Sequence, residues 1–426
     1  MIRLIIIADD FTGALDTGVQ FSKKGISTLV TTNMNIELEN IKDQIEVLVF
    51  DTESRHDTKN IAFYKVEKLV KRFKNIKNCY FYKKTDSTLR GNISGELAGF
   101  IEGLGINEIS FIPALPQNGR TTKDGYHYVN DILLENSIFA KDPLNPTRES
   151  YIPKIINFQN DFECEIYKKS NFFDFTDIVS SEKKINIFDC VSNKDLIEIG
   201  NLLKGKNKLK YTSGCAGFAE ILSDLIEFNK EKISLKISND KLLMVCGSVN
   251  QVSLEQTKYA KNNGYKFYTL SPYEELSTDF INSENYKKLL DNISQNIDKN
   301  KRFLIESLDS YEKIKLTQSF ASKNNISLDN LGIKIADNIG YLVKDIIDNI
   351  KLKNLVVFGG DTLIGIMSKL ECEGIIPLDE ILPGVVIARV ISKIDYYNIN
   401  IITKAGGFGN VDVINNIEKF IDKKKE

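Results

Sequence analysis

Two adjacent carboxylates follow a short aliphatic run near the start of the chain. In "IIIADDFTGALDTG", Asp9 and Asp10 come directly after the apolar residues, and Thr12 and Gly13 mark a tight turn into a helical pattern. A strand that ends in this way presents carboxylates and free backbone N–H groups to a ligand. One aspartate at such a turn commonly caps the following helix, but capping accounts for only one of the two. The pair therefore indicates a ligand site.

Two further strand ends carry charged and hydroxyl side chains. "FDTESRHD" offers Asp51, Ser54 and Arg55, and an arginine can hold a carboxylate through two parallel hydrogen bonds. Arg–Asp pairs at such positions can also be purely structural. "KKTDSTLRGNISGE" is denser and offers Lys84, Thr85, Asp86, Ser87, Thr88 and Arg90. Cations beside hydroxyls suit an anionic or polyhydroxylated ligand, because their donors match its oxygens.

The second half of the chain carries a different pattern, in which small residues follow apolar strands. The turns are "CGSVN" with Ser248, "VVFGGDTLIG" with Gly359, Gly360, Asp361 and Thr362, and "TKAGGFGN" with Gly406 and Gly407. Glycines let a backbone approach phosphate closely, and the amides of a helix N-terminus favour its charge. We expect Thr362 to cap the helix after the second turn. Neither a P-loop nor a complete G-x-G-x-x-G is present, so the turns together, rather than any one motif, predict a nucleotide.

Strands and helices must alternate to position these residues. Apolar, β-branched runs such as "IRLIIIAD", "EVLVFDT" and "CYFYKKTD" are separated by segments of helical period. This order predicts a parallel sheet with helices on both faces, which binds ligands at the carboxyl ends of its strands. The fold class is therefore α/β, with two α/β domains, largely parallel sheets and an interdomain cleft.

The polar segment "NKEKISLKISND" places the domain boundary near residue 235, giving domains 1–235 and 236–426. Within the first domain, residues 118–182 interrupt the alternation with a long, polar, proline-containing stretch. We read it as an irregular segment that folds over the ligand and brings Arg120 to it. The signal is weak, because hydroxyl- and glycine-rich turns are frequent in loops.

The composition of the chain limits the classes of protein to which it can belong. The 426 residues carry a formal charge of −2, with 42% hydrophobic and 27% charged side chains. These values are typical of a globular protein and give no electrostatic reason to expect nucleic acid or a membrane as partner. Six dispersed cysteines and two histidines form no metal-binding motif. The N-terminus lacks a secretory signal pattern, so we expect a cytoplasmic protein with reduced thiols.

The motifs resemble, in order over nearly the whole chain, those of the four-carbon acid sugar kinase family. The matching segments are "ADDFTGALDTGVQFSKKG", "DTESR", "KKTDSTLRGN", "PALPQNGRTTKDG", "DPLNP", "GSVN", "FGGDT", "PGVVIARV" and "TKAGGFG". The resemblance implies phosphorylation of D-threonate, D-erythronate or 3-oxo-tetronate at the 4-hydroxyl, with ATP and its Mg²⁺. It implies an N-terminal acid-sugar domain and a C-terminal nucleotide domain.

Carried onto this sequence, the resemblance assigns Asp9, Asp10, Arg55 and residues 84–87 to the acid-sugar pocket. It assigns Ser248, residues 359–362, Gly406 and Gly407 to ATP. Two departures matter, namely Asp361 where the family usually has glutamate, and Val249–Asn250 where it has a serine-rich turn. We expect Asp10 or Asp86 to orient the 4-hydroxyl while Arg55, Lys84 and Arg90 hold the acid and offset charge. The metal ligands stay undefined.

Two other classes of function compete with a kinase. A metal-dependent phosphatase would need a second aspartate two positions after its nucleophile, where this chain has Phe11 and Thr12. A non-catalytic sugar-acid sensor with two lobes would have no use for the glycine turns of the second half. The sequence leaves open which acid sugar is used and whether the protein is a monomer or a homo-oligomer.

Overall fold

The computed structural model describes residues 1–37, 44–142, 145–157, 162–175, 182–231, 235, 237, 241–392 and 399–424. The chain divides into two compact units, Met1–Lys232 and Ile233–Glu426. Much of the segment in which the sequence placed the domain boundary, residues 232–234, 236 and 238–240, lies outside the described residues. So do Pro143 and Leu144 of the "DPLNP" motif.

The first unit contains an eight-stranded parallel sheet with the order β2-β3-β1-β4-β11-β5-β10-β9. Its strands are β1 (Leu4–Ala8), β2 (Thr28–Thr31), β3 (Val47–Asp51), β4 (Tyr80–Lys84), β5 (Glu108–Ile112), β9 (Glu163–Tyr167), β10 (Lys184–Phe188) and β11 (Tyr211–Gly214). Every residue of β1 is buried, as expected for a strand covered on both faces. The α/β fold class is confirmed.

Among the described residues of this unit, the α-helices are α1 (Phe11–Ser22), α2 (Lys59–Phe73), α3 (Ile93–Leu104), α4 (Ile152–Ile156), α5 (Asn193–Gly205) and α6 (Ala216–Leu225). Helices α2 and α3 pack with their backbones unusually close together. A Cβ added at Gly99 would lie 2.3 Å from the carbonyl oxygen of Phe63. Glycine is therefore required there, and this contact fixes α3 against α2.

The prediction of an irregular segment over residues 118–182 is wrong in part. It contains a three-stranded antiparallel sheet of β6 (Arg120–Lys123), β7 (Tyr126–Val129) and β8 (Ile132–Leu133). The edge strand of the parallel sheet, β9, also lies in it. Strand β6 is polar at every position and β8 has only two residues, so these strands lack the longer apolar pattern by which the other strands are identified.

The second unit has a seven-stranded mixed sheet with the order β13-β14-β12-β15-β18-β17-β16. Its strands are β12 (Leu242–Cys246), β13 (Lys266–Thr269), β14 (Arg302–Glu306), β15 (Asn354–Phe358), β16 (Cys372–Leu382), β17 (Val385–Ser392) and β18 (Asn400–Lys404). Strands β16 and β17 form an antiparallel hairpin, and β17 also pairs antiparallel with β18. The other pairs are parallel.

The helices of the second unit are α7 (Gln251–Asn262), α8 (Pro272–Leu276), α9 (Glu284–Asn300), α10 (Tyr311–Lys323), α11 (Leu328–Ile350), α12 (Gly360–Lys369) and α13 (Val413–Lys423). Strands β12, β15 and β18 lie side by side, and each ends at one of the small-residue turns found in the sequence. Within the described residues, none of the helices has the length and apolarity needed to cross a membrane.

Candidate functional site

Three charged loops meet at one edge of the first sheet. Strand β1 lies between β3 and β4, and in a parallel sheet the carboxyl ends of neighbouring strands point to the same edge. Asp9 and Asp10 follow β1, Arg55 follows β3, and Asp86 follows β4. The predicted convergence of these loops is confirmed.

Arg55, in the loop after β3, links the carboxylates of the other two loops. Its Nε donates to Asp9 Oδ2 at 2.7 Å, and its Nη1 donates to Asp10 Oδ2 at 2.6 Å. Its Nη2 lies 3.7 Å from Asp86 Oδ1. The expectation that Arg55 grips a substrate carboxylate with two hydrogen bonds is not supported by this geometry, because the guanidinium already binds the protein's own aspartates.

Asp86 is held from several directions and is poorly placed to accept a proton. Arg90 donates through Nε to Oδ2 and through Nη2 to Oδ1, both at 2.9 Å, and Thr88 Oγ1 donates to Oδ2 at 2.5 Å. Burial opposes the charge of Asp86, but Arg55 and Arg90 outweigh it and lower the pKa of this carboxyl far below its usual range. The carboxylate is therefore a weak base.

Asp10 differs from its neighbours. It caps α1, since its Oδ1 accepts from the N–H of Gly13 at 3.0 Å, so the capping interpretation accounts for one of the two aspartates. Burial raises the pKa of Asp10, and the attraction of Arg55 offsets only part of that effect. The pKa of Asp9 is lowered, because Arg55, Lys83 and Lys84 together outweigh the effect of its burial. The two adjacent carboxyls thus differ in basicity.

Two donors beside these carboxylates are buried and without partners in the described part of the chain. The Lys84 ammonium has neither a hydrogen-bond nor an ion-pair partner there, although the residue is only 5% exposed. Thr85 Oγ1 is likewise buried and unbonded. A Cβ on Gly13 would lie 2.7 Å from Lys84 Nζ and 2.5 Å from Asp10 Oδ1, so glycine leaves this group room. Buried polar groups usually have partners, and a bound anion would supply them.

Arg120 and Ser87 are connected to the site through contacts with Phe139 and His127. Arg90 and Arg120 both make cation–π contacts with Phe139, with their guanidinium carbons lying 5.4 and 5.6 Å from the centre of its ring. The Ser87 carbonyl lies 2.9 Å from Nε2 of the buried His127. Burial lowers the pKa of His127 to about 4, so the imidazole is neutral near pH 7. These contacts connect the sheet β6–β8 to the loop after β4.

A buried ion pair behind the loops was not predicted from the sequence. Lys83 Nζ lies 2.8 Å from Glu96 Oε2 on α3, and neither side chain is more than 1% exposed. Ser54 Oγ donates to Glu96 Oε1 at 2.6 Å. The pair therefore ties the loop after β3 to β4. A single glutamate among the apolar residues of "ISGELAGF" was the available signal.

Arg90 also lines a cavity of about 390 Å³ with the start of α3 and residues 145–149. Asn145 and Pro146 of the "DPLNP" motif lie on its wall. Asp142 of the same motif pairs with Arg90, with Oδ2 at 3.2 Å from Nη1. The motif thus borders the charged loops.

The glycine turns of the second unit surround a cavity of about 400 Å³. The predicted residues on its wall are Ser248, Gly359, Gly360, Asp361, Thr362 and Gly406. Gly359 has φ +110°, a conformation that side-chain-bearing residues rarely adopt. The opposite elements, α10 and α11, contribute apolar side chains including Ile314, Leu331 and Ile335. A polar, amide-rich part and an apolar part suit a nucleotide.

Details of these turns differ from the expectation. Helix α12 has Gly359, not Thr362, as its N-cap, and Thr362 lies inside the first turn. Thr362 Oγ1 instead occupies the space beside Gly247, where a Cβ would lie only 2.1 Å away. Asn250 caps α7 by accepting from Val252 N at 2.9 Å, which explains why asparagine serves at that position. Gly407 lies near Asn250, since a Cβ added at Gly407 would be 3.7 Å from Asn250 Nδ2.

The cavity in the second unit offers the carboxylate of Asp361 to a divalent cation, which suits Mg²⁺ carried by ATP. No cluster of three or more His, Cys, Asp or Glu side chains that could hold a metal occurs among the described residues. Asp361 offers an exposed carboxylate in the first turn of α12 at the cavity wall. Mg²⁺ commonly takes one or two carboxylates and otherwise binds phosphate oxygens and water.

Comparison with known proteins finds two family models, each of which matches a different part of the chain. Residues 4–222 match a family model described as a sugar-binding N-terminal domain, and residues 243–414 match one described as a nucleotide-binding C-terminal domain. A D-erythronate kinase from Heliobacterium modesticaldum is 26% identical over 97% of this chain and 95% of its own length. A D-threonate kinase from Salmonella typhimurium is 26% identical over 96% of each chain. A 3-oxo-tetronate kinase from Haemophilus influenzae is 22% identical over 96% of this chain and 97% of its own.

Solved structures share the fold. A Haemophilus influenzae protein superimposes with a TM-score of 0.77 at 20% identity and covers 98% of this chain and 100% of its own. A Salmonella typhimurium protein gives 0.80 at 19% identity, covering 99% and 100%. At these identities the likeness concerns the architecture alone.

Proposed function

Because the chain belongs to the four-carbon acid sugar kinase family, we propose that it transfers the γ-phosphoryl group of ATP to the 4-hydroxyl of a four-carbon acid sugar. The observation that carries the proposal is the cluster after β1, β3 and β4, where carboxylates of unequal basicity lie beside an unpaired ammonium. Such a reaction needs a positioned hydroxyl, a carboxylate to take or orient its proton, and cations that offset charge.

The substrate class follows from the donors available at this edge. Lys84 is the cation that we assign to the acid's carboxylate, since Arg55 and Arg90 are engaged by aspartates. Thr85 and Asp9 each have a buried oxygen without a partner among the described residues, and both suit sugar hydroxyls. Erythronate, threonate and 3-oxo-tetronate, the substrates named for the relatives, all fit this description.

Asp10 is the better candidate for the base. Its side chain is 26% exposed against 10% for Asp86, and burial raises its pKa whereas Arg55 and Arg90 lower that of Asp86. A base is more effective when its pKa lies closer to the working pH. In the proposed reaction Asp10 orients the 4-hydroxyl and accepts its proton, while Asp86 fixes Arg90 and Arg55.

On the nucleotide side, the turns at Ser248, residues 359–362 and Gly406–Gly407 would hold the phosphates through backbone amides and the start of α12. Asp361 would take part in holding Mg²⁺, whose chemistry is to neutralise charge on the β- and γ-phosphates. An enzyme that uses ATP in this way would operate in the cytoplasm. Transfer further requires the acceptor oxygen to come within about 3–3.5 Å of the γ-phosphorus.

The test is an ATP-consumption screen across D-erythronate, D-threonate, 3-oxo-tetronate and the matching neutral sugars. We expect ADP release with at least one acid and none with the neutral sugars. Asp10→Asn should then lower kcat by about 10²–10⁴-fold with both ligands still bound, whereas Asp86→Asn should also weaken binding of the acid. Binding of both ligands without turnover in the wild-type protein would favour a sensor, and near-native kcat in Asp10→Asn would remove Asp10 as the base.

A further inference from the structure

A buried glutamate lies directly behind the wall of the nucleotide cavity. Glu275 on α8 is fully buried, and none of the interactions assigned above uses it. Ser307 Oγ donates to its Oε1 at 2.6 Å, and Thr317 Oγ1 is 3.3 Å from its Oε2. Ser307 and Thr317 both line the cavity, together with the apolar residues of α10 and α11.

The direction of these hydrogen bonds restricts what the two hydroxyls can offer to a ligand. A hydroxyl has one proton to donate and two lone pairs that accept. An ionised carboxylate accepts only, so Ser307 and Thr317 both direct their protons to Glu275. Toward the cavity they are left as acceptors, which suit an amino group and leave a carbonyl oxygen without a donor.

We infer that Glu275 makes this cavity selective for a purine that carries an amino group at position 6, which is adenine, over one that carries a carbonyl there. Glu275 acts as a positioning residue through Ser307 and Thr317 and does not touch the base. The inference rests on the proposed function, since it assigns the base to the apolar part of the same cavity and the phosphates to its glycine turns. A hydroxyl that presents only its lone pairs to the cavity cannot donate to a carbonyl oxygen at position 6. That oxygen is then buried without a hydrogen bond, which carries a free-energy penalty.

The state of Glu275 also links selectivity to pH. Burial raises its pKa to about 7, although Ser307, Lys313 and Thr317 partly offset the effect. Lys313 Nζ on α10 lies 3.8 Å from Oε1, Glu274 is the neighbouring charge on α8, and α11 contributes the neutral Asn338, which donates to the Glu275 carbonyl at 3.0 Å. Below its pKa the glutamic acid has a proton of its own to donate, and one hydroxyl is then released to face the cavity as a donor.

The experiment compares ATP with ITP, which has a carbonyl oxygen at position 6 and otherwise the same phosphates and sugar. Each nucleotide displaces a fluorescent ribose-labelled ATP from the full-length protein, so no acid sugar is needed. We expect wild-type protein at pH 8 to prefer ATP by about tenfold or more, the effect of one suitable hydrogen bond gained and one lost. Glu275→Gln, whose amide can donate to a hydroxyl, should reduce this preference at least severalfold, whereas Glu274→Gln should not.

Two further measurements keep the test decisive if Glu275→Gln fails to fold. Ser307→Ala should weaken ATP and leave ITP unchanged, and the wild-type preference should fall between pH 8 and pH 6. An ATP-to-ITP ratio that stays within twofold in Glu275→Gln, or equal losses for both nucleotides in Ser307→Ala, would overturn the inference. A protein that prefers ATP as described but phosphorylates no acid sugar would instead contradict the proposed function alone.

Discussion

Replacing Arg55 with lysine should destabilise the first unit while leaving the second unchanged. Lysine keeps the charge but lacks the planar fork by which Arg55 binds two carboxylates at 2.7 and 2.6 Å, and we expect its ammonium to bind one of them. One charge-assisted hydrogen bond is lost, a contribution of roughly 1.5–3 kcal/mol, and a buried aspartate loses its partner. Because Arg55 is only 11% exposed, solvent screens little of this loss. The expected cost in unfolding free energy is about 2–4 kcal/mol.

Hydrogen exchange read by mass spectrometry separates the two units. Peptides from β1, β3 and β4 that exchange only through unfolding should lose protection by about 30- to 1,000-fold, since each 1.36 kcal/mol is a factor of ten. Peptides from β12 and β15 should not change. Arg72→Lys is the matched control, because the exposed Arg72 donates to backbone carbonyls only. Less than threefold change in the first unit, or equal change in both units, would refute this account of Arg55.

Three further outcomes follow from single residues. Gly359→Ala, at φ +110°, should weaken nucleotide binding by about tenfold or more through backbone strain and leave acid-sugar binding intact in calorimetry; loss of both ligands from a folded protein would contradict the division of roles. Lys84→Met should raise the KM for the acid by about 10- to 100-fold with little change in the KM for ATP, and an unchanged acid KM would remove Lys84 from the site. His127, whose pKa burial lowers to about 4, should make the protein less stable as the pH falls from about 6.5 toward 4, because the unfolded chain then binds the proton first; urea unfolding of His127→Gln should show a smaller loss, and equal losses would exclude this contribution.

The elements that position the site could be predicted from the sequence because the residue patterns that define them are local. Strands β1 and β3 are short, β-branched and fully buried, and the rule that ligands lie at the carboxyl ends of parallel strands then brought Asp9, Asp10 and Arg55 together. The glycine turns after β12, β15 and β18 were found in the same way. Which residues share an edge could thus be predicted before any distance was known.

The contacts that depend on tertiary packing could not be predicted from the sequence. Arg55 was assigned to the substrate because the pattern shows its type and its place but not its three aspartate partners. Glu96 and Glu275 lie in helices, and tertiary packing brings them to partners on other elements, on β4 and after β14. The short strands β6–β8 were missed because hydrogen bonding between them, not apolar periodicity, defines them.

The most direct test of the central claim is a phosphorus NMR spectrum of the products formed from ATP and each of the three C4 acids. We predict ADP together with a phosphomonoester whose signal is split by the two protons of carbon 4, because the 4-hydroxyl is the acceptor. A signal split by a single proton would place the phosphate on a secondary carbon and contradict the assigned position. ADP with inorganic phosphate alone, or unchanged ATP with every acid, would contradict the kinase proposal itself.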